Sequence, residues 1–243
     1  MGDDRGLAAC LTMLSLLAAV VGAQAQACSA ESGTGVPTVV ELYTSEGCNS
    51  CPPADRWLST LKDKPGVLAA AFHVDYWDRL GWKDRFASPS FSERQAQLQA
   101  AAGERFSYTP QVRVNGADWR RWPQLPTAAP RSTVRVSLRR DGEQVGVEVR
   151  PSAGAPEALS LWWAALEDGQ VSDVAAGENR GVQLHHDHVV RHYGSLAPWR
   201  GPLQQRITVP AVGEGGRPLR LIVVVTDAAS GVPVQAVQLR CGA

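Results

Sequence analysis

The sequence predicts an α/β domain followed by an all-β, antiparallel, sandwich-like domain, and three observations lead there. Val39 to Tyr43 is a short apolar run of β-formers that leads into the loop Cys48-Asn49-Ser50-Cys51. Asp55, Trp57, Leu58 and Leu61 follow at helical spacing, so the segment reads as strand, Cys-x-x-Cys turn and helix. Tyr108 to Gly116 then reads as a residue-Pro step, a short strand and an Asn-Gly hairpin turn. Beyond the Pro-rich stretch Pro123 to Pro130 the texture changes to alternation, as in Val134, Val136 and Leu138 and in Val145, Val147 and Val149.

Taken in chain order, residues 1–27 read as a secretory signal peptide. Leu7 to Gly22 is a run of sixteen uncharged residues, too short for a membrane span, and Ala25-Gln26-Ala27 supplies a small-x-small cleavage site. The expected location is periplasmic or secreted. Cleavage removes Cys10 and leaves Cys28, Cys48, Cys51 and Cys241, an even set that favours disulfides in an oxidising compartment. Cys28 has two readings at this point. It is either a lipidated lipoprotein cysteine, which would bring the chain to a membrane, or the partner of Cys241 in a staple between the chain ends. Such a staple closes a loop of about 200 residues and is worth on the order of 4–5 kcal/mol in the chain-entropy model.

The first domain is expected over 28–125. Lys64-Pro65-Gly66 ends its first helix, and Val67 to Val74 is a continuous apolar strand. Ser90 and Glu93 have capping-box spacing at the start of a second helix, with Phe91, Gln95, Leu98 and Ala102 as its inner stripe and Gly103 as its stop. The second domain is expected over 131–243. Its strands include Leu159 to Trp163, Gln205 to Val209, Leu219 to Thr226 and Val232 to Leu239, with hairpin turns at Asp141-Gly142 and Glu167-Asp168-Gly169. Roughly seven such strands without a helix read as a β-sandwich.

The Cys-x-x-Cys segment followed by Thr109-Pro110-Gln111-Val112 and Asn115-Gly116 resembles the thioredoxin superfamily. Leu42-Tyr43-Thr44 before the cysteines is similar to glutaredoxin. Over most of its length, from about Val36 to the C-terminus, the chain resembles a bacterial family of secreted proteins defined only as a domain of unknown function. The segments that carry this likeness are Gly47 to Asp55, Phe72-His73-Val74-Asp75-Tyr76-Trp77-Asp78 and Leu80-Gly81-Trp82-Lys83-Asp84. The superfamily likeness implies a thioredoxin-like fold for the first domain and a cis Thr109–Pro110 bond whose backbone pairs with an extended substrate. It also implies a buried acid on the strand before the cysteines, here Glu41, relaying protons to the resolving thiol. The spacing is one residue longer than usual, which leaves the strand face of Glu41 open.

With 24 basic and 24 acidic side chains, the composition makes no electrostatic case for nucleic acid or an anionic membrane surface. A zinc reading of Cys48 and Cys51 lacks a second Cys-x-x-Cys to complete four ligands. A thiol at a helix N-terminus is stabilised as thiolate, so Cys48, the N-terminal and more exposed cysteine, is the expected nucleophile and Cys51 the resolving thiol. Pro52 and Pro53 suit a helix start but remove two N–H donors. His186, His188 and His192 would share one face of a strand; they read first as a polar strand face or loop at the domain interface, and as the metal candidates beyond the cysteines only second. Trp77, Trp82, Trp119 and Trp122 each read first as core, and some of them are candidates to line a peptide groove. The expected function is a thiol–disulfide oxidoreductase acting on cysteine-containing proteins or a redox partner, with no organic cofactor. The alternative is a module that holds a copper ion or a partner protein without redox turnover.

Overall fold

The computed structural model describes residues 28–127 and 129–241; the predicted signal peptide lies outside the described residues. The first half of the chain supplies β1 (Cys28–Glu31), β2 (Thr38–Thr44), α1 (Pro52–Ser59), β3 (Val67–His73), α2 (Pro89–Ala101), β4 (Gln111–Val114) and β5 (Ala117–Asp118). The second supplies β6 (Val134–Asp141), β7 (Gln144–Pro151), β8 (Leu159–Glu167), β9 (Gln170–Asp173), β10 (Gln183–His186), β11 (Val189–Trp199), β12 (Leu203–Thr208), β13 (Arg220–Asp227) and β14 (Pro233–Leu239). Among the described residues no helix is long and apolar enough to cross a membrane.

The expected α/β thioredoxin-like domain followed by a separate sandwich is corrected by this architecture. Fourteen strands and only two α-helices make the described chain mostly β. One mixed eight-stranded sheet, in the order β14-β13-β8-β11-β3-β2-β4-β5, runs through both halves. The junction is short: Val189 of β11 lies parallel to Ala71 of β3, and Ala71 N donates to His188 O at 2.8 Å. Without it β3 would be an open edge with unpaired backbone donors, so the pairing satisfies polar groups that neither half satisfies alone. The two chain halves also exchange strands at the other end, since β1 pairs with β6 in a second sheet ordered β1-β6-β7-β12.

β2 is buried at every position, as its Val-Val-Glu-Leu-Tyr run requires once β3 flanks it in parallel and β4 in antiparallel pairing. Its alternation divides the molecule. Val40 and Leu42 face α1, packing with Ala54, Trp57 and Leu58. Val39 and Tyr43 face the opposite side, where Phe72 and Phe91 meet Trp162, Leu166, Ile222 and Val224 from the second half. A third, aliphatic core fills the space between the two sheets, from Val136, Leu138, Val147 and Val149 to Leu161, Leu221, Val223 and Val225.

The expected Ser90–Glu93 capping box at α2 also moves. Ser88 is the N-cap, its hydroxyl accepting from Ser90 N at 3.3 Å, because Pro89 occupies the first helical position where a missing N–H costs nothing. Cys28 and Cys241 are joined, their Cα atoms 5.7 Å apart, so the thiol that a lipid anchor needs is occupied.

Candidate functional site

Cys48 and Cys51 form a disulfide with Cα atoms 5.5 Å apart. Backbone hydrogen bonds hold the turn at both cysteines. Cys48 N donates to Ser45 O, Cys51 N to Cys48 O, and Ala54 N and Asp55 N both to Cys51 O. Cys51 is the N-cap of α1, with prolines at the first two helical positions. Since Pro52 and Pro53 carry no N–H and Ala54 N is already bonded, the first turn offers Cys48 the helix dipole but no free donor.

The expectation that Cys48 is the more exposed thiol is corrected, because both cysteines are 0% exposed. They are covered by the segment between β9 and β10, which the sequence had not marked. Asn179 Nδ2 donates to Glu46 O at 2.8 Å and to Cys48 O at 2.9 Å. Glu178 accepts from Asn49 N at 3.1 Å. Gly177 sits so close that a Cβ there would meet Trp82 at 3.4 Å. On another side Trp77 closes the wall: a Cβ on Gly47 would lie 3.1 Å from it, and its indole N–H donates to Thr109 Oγ1 at 2.8 Å. Trp77 thereby ties the cysteine turn to the Thr109–Pro110 step, whose peptide bond is cis.

Glu41 is not brought to the disulfide. It lies on the β2 face opposite α1, where Arg94 Nη2 and Nε donate to its Oε2 at 2.8 and 3.1 Å and Tyr43 OH donates at 3.0 Å. The period of two decides this: Glu41 shares a face with Val39 and Tyr43, not with Leu42 and Thr44.

The polar groups beneath the cysteines are others. Asp55, one turn along α1 from Cys51, accepts at Oδ2 from Thr44 Oγ1 at 2.9 Å. His186 at the end of β10 places Nδ1 3.8 Å from Asp55 Oδ1 and Nε2 3.4 Å from Glu46 Oε1. Glu46 Oε2 accepts from the Trp82 indole at 2.7 Å. His73, at the end of β3, donates from Nδ1 to Asp84 Oδ2 at 2.7 Å, and its ring lies 5.0 Å from that of His186. Asp84 also accepts from the amides of Glu46 and Phe86, both at 2.9 Å. Asp55, His73, His186, Glu46 and Asp84 are all buried, at 7, 0, 3, 0 and 2% exposure. Yet Glu46 Oε1, His73 Nε2 and both ring nitrogens of His186 have no hydrogen-bond partner. His73 Nε2 is thus a buried ring nitrogen with no partner, a state that costs about 1–3 kcal/mol, while His186 meets its carboxylates only as long ion contacts, so the pocket holds donor atoms that its own hydrogen bonds do not use up.

The charges in the pocket adapt to one another. Burial alone would lower the pKa of His186, but Asp55 and Glu46 outweigh it and hold it up at about 9. Burial would raise Asp84, and His73 with the two amides outweighs it and keeps the carboxyl low. Burial likewise opposes ionisation of Glu46, which His186 and Trp82 restore to a lowered pKa.

The predicted histidine set does not assemble. The turn at His188, with φ 61°, breaks the strand between β10 and β11. His188 turns to Arg220, Nδ1 to Nη2 2.7 Å, and His192 is exposed past an irregularity in β11. Only His186 enters the pocket, and its companions come from elsewhere. Asp55, His73 and Asp84 stood in the quoted sequence segments. Their signal was a polar residue closing an apolar strand (His73) and a carboxylate one turn past a cysteine (Asp55).

A family described as "Protein of unknown function (DUF1223)" matches residues 39–226. Among solved structures, a crystal structure of protein AGR_C_4864 from Agrobacterium tumefaciens is 29% identical, with a TM-score of 0.63, and the match covers 86% of this chain and 96% of that one. HBP35 of Porphyromonas gingivalis is similar in fold alone, at 15% identity and a TM-score of 0.56, over 85% of this chain and 76% of that one. No curated protein matches the chain.

Proposed function

The chain belongs to this DUF1223 family, whose description carries no activity, and from its own residues we propose that it is a secreted or periplasmic thiol–disulfide oxidoreductase acting on protein cysteines. The observation that carries the proposal is the Cys48–Cys51 disulfide at the start of α1, tied through Trp77 to the Thr109–Pro110 step. Two disulfides in one chain support an oxidising compartment.

In the reducing direction the Cys48 thiolate attacks one sulfur of a substrate disulfide. That bond breaks, a Cys48–substrate mixed disulfide forms, and the other substrate sulfur leaves as thiolate and takes a proton from water. Cys51, as thiolate, then attacks Cys48 Sγ, closing the Cys48–Cys51 bond and releasing the second substrate thiolate. The substrate gains two electrons and the cysteine pair loses two; the same steps in reverse oxidise a dithiol. Thr109 and Pro110 present backbone to the incoming chain. Because Asn179 and Glu178 cover the turn, the 174–182 segment has to move before a substrate sulfur reaches Cys48. That cover is also the observation favouring a second reading, a partner-binding module whose disulfide is inert. A copper site through the cysteines requires the reduced pair, since a disulfide offers no thiolate.

The test is exchange with a fluorescent disulfide peptide by full-length mature protein. Cys48→Ala is expected to abolish turnover, and Cys51→Ala to trap the mixed disulfide. A wild-type protein that exchanges no faster than its Cys48→Ala variant establishes the inert reading instead.

A further inference from the structure

We propose that Asp55, His73 and His186 form a binding site for one divalent transition-metal cation of the zinc class, beneath the Cys48–Cys51 turn. One ligand atom from each of the three lies within 4.8 Å of the others, and all three residues are buried. A tetrahedral ion with bonds of about 2.1 Å holds its ligand atoms about 3.4 Å apart. His186 Nδ1 and Asp55 Oδ1 are 3.8 Å apart, so small side-chain rotations close the site.

The surroundings of the three residues are those of metal ligands. Asp84 accepts the Nδ1 proton of His73, which leaves Nε2 as the free lone pair, and that nitrogen has no partner. Glu46 Oε1 faces His186 Nε2 at 3.4 Å, which leaves Nδ1 toward Asp55. His73 therefore has a hydrogen-bonded carboxylate behind it, the arrangement that fixes the tautomer and raises the basicity of a metal-bound histidine, and Glu46 stands 3.4 Å from the far nitrogen of His186, close enough to take its proton once a cation holds Nδ1. Asp55 is oriented in the same way by Thr44, and Glu46 by Trp82. Two imidazole nitrogens and one carboxylate suit zinc and its neighbours, whereas calcium and magnesium take oxygen donors. The ligands come from α1, β3 and β10, so the cation would also fasten the second half of the chain to the first. No cysteine belongs to the donor set, and the inference stands independently of the redox reading.

The experiment uses untagged full-length mature protein with both disulfides formed, stripped with chelator and titrated with zinc and then with cobalt as a spectroscopic probe. Calorimetry is expected to give one zinc per chain, and cobalt to develop visible ligand-field bands displaced by zinc. His73→Gln and His186→Gln should each weaken binding at least about 100-fold, and Asp84→Asn about 10- to 100-fold. The Cys48→Ser/Cys51→Ser protein should bind as wild type does. Circular dichroism reports whether each variant folds, and wild-type stoichiometry tests the site even where a variant does not. Absence of a 1:1 wild-type complex, binding that survives both histidine substitutions, or binding lost in the cysteine variant overturns the proposal.

Discussion

Two buried ionic clusters lie on opposite faces of β2, and they are built to opposite specifications. On the α2 face, Arg94 forks onto Glu41, donates to Tyr193 OH at 3.0 Å and packs over the Trp162 ring at 4.7 Å. Each of these contacts is short, and Arg94 and Glu41 both leave no buried polar atom without a partner. On the α1 face, His186 faces its carboxylates at 3.4 and 3.8 Å with neither ring nitrogen hydrogen-bonded. The first cluster completes itself and fixes how α2 seats on the sheet. The second keeps unspent coordinating capacity, which is what a site requires and what a core avoids.

The sharpest way to break this contrast is to remove one member from each cluster. Arg94→Ala leaves Glu41 buried without its cation and is expected to cost about 3–5 kcal/mol. His186→Gln in metal-free protein removes the imidazolium that Asp55 and Glu46 hold, but Trp82 and Thr44 still serve the carboxylates, so the expected cost is smaller, about 2–3 kcal/mol. Urea unfolding of both variants checks the order, and a greater loss for His186→Gln would show the α1-face cluster to be structural.

A third pair refines the comparison. Arg220, the first residue of β13, forks onto Asp168 at 2.7 and 2.9 Å, just past the end of β8. Burial would raise the Asp168 pKa, but Arg220 and the His188 amide outweigh it and hold the carboxyl far below the usual range. Its folded pKa is depressed, so its contribution is complete above the unfolded value of about 3.9 and is lost as pH falls through the folded one. Asp168→Asn should cost about 1.5–3 kcal/mol at neutral pH and flatten the fall in urea midpoint below about pH 4. Parallel wild-type and variant curves across the acid range would remove Asp168 from the account.

The smallest expected effect concerns the cover over the cysteines. Asn179→Ala removes two hydrogen bonds to the turn, each worth about 0.5–1.5 kcal/mol locally. It should leave global stability within about 1 kcal/mol, since such segments open without unfolding the core. Reduction of Cys48–Cys51 by dithiothreitol should become up to about tenfold faster, followed by quenched alkylation. An unchanged rate would mean that the segment does not gate the disulfide.

Local chemistry in the sequence determined a good part of this protein. The apolar run into Cys48-Asn49-Ser50-Cys51 and the prolines after it specify strand, turn and helix start. Asn115-Gly116, at φ 50° and 85°, and Gly142, at φ 58°, specify the hairpins after β4 and β6. These are short-range effects of backbone sterics and side-chain period, and they are legible wherever neighbours in sequence are neighbours in space. The pairing of β11 with β3, the cover by Asn179 and the meeting of Asp55, His73 and His186 are not of that kind. Each brings in a residue more than 100 positions away (His186, in the last case), and no local preference of His186 distinguishes the pocket from the strand face it was expected to share with His188 and His192. Pairing decided it: β3 takes β11 along its open edge, and with β11 the preceding β10 lies against α1, so the site comes with the satisfaction of backbone groups there.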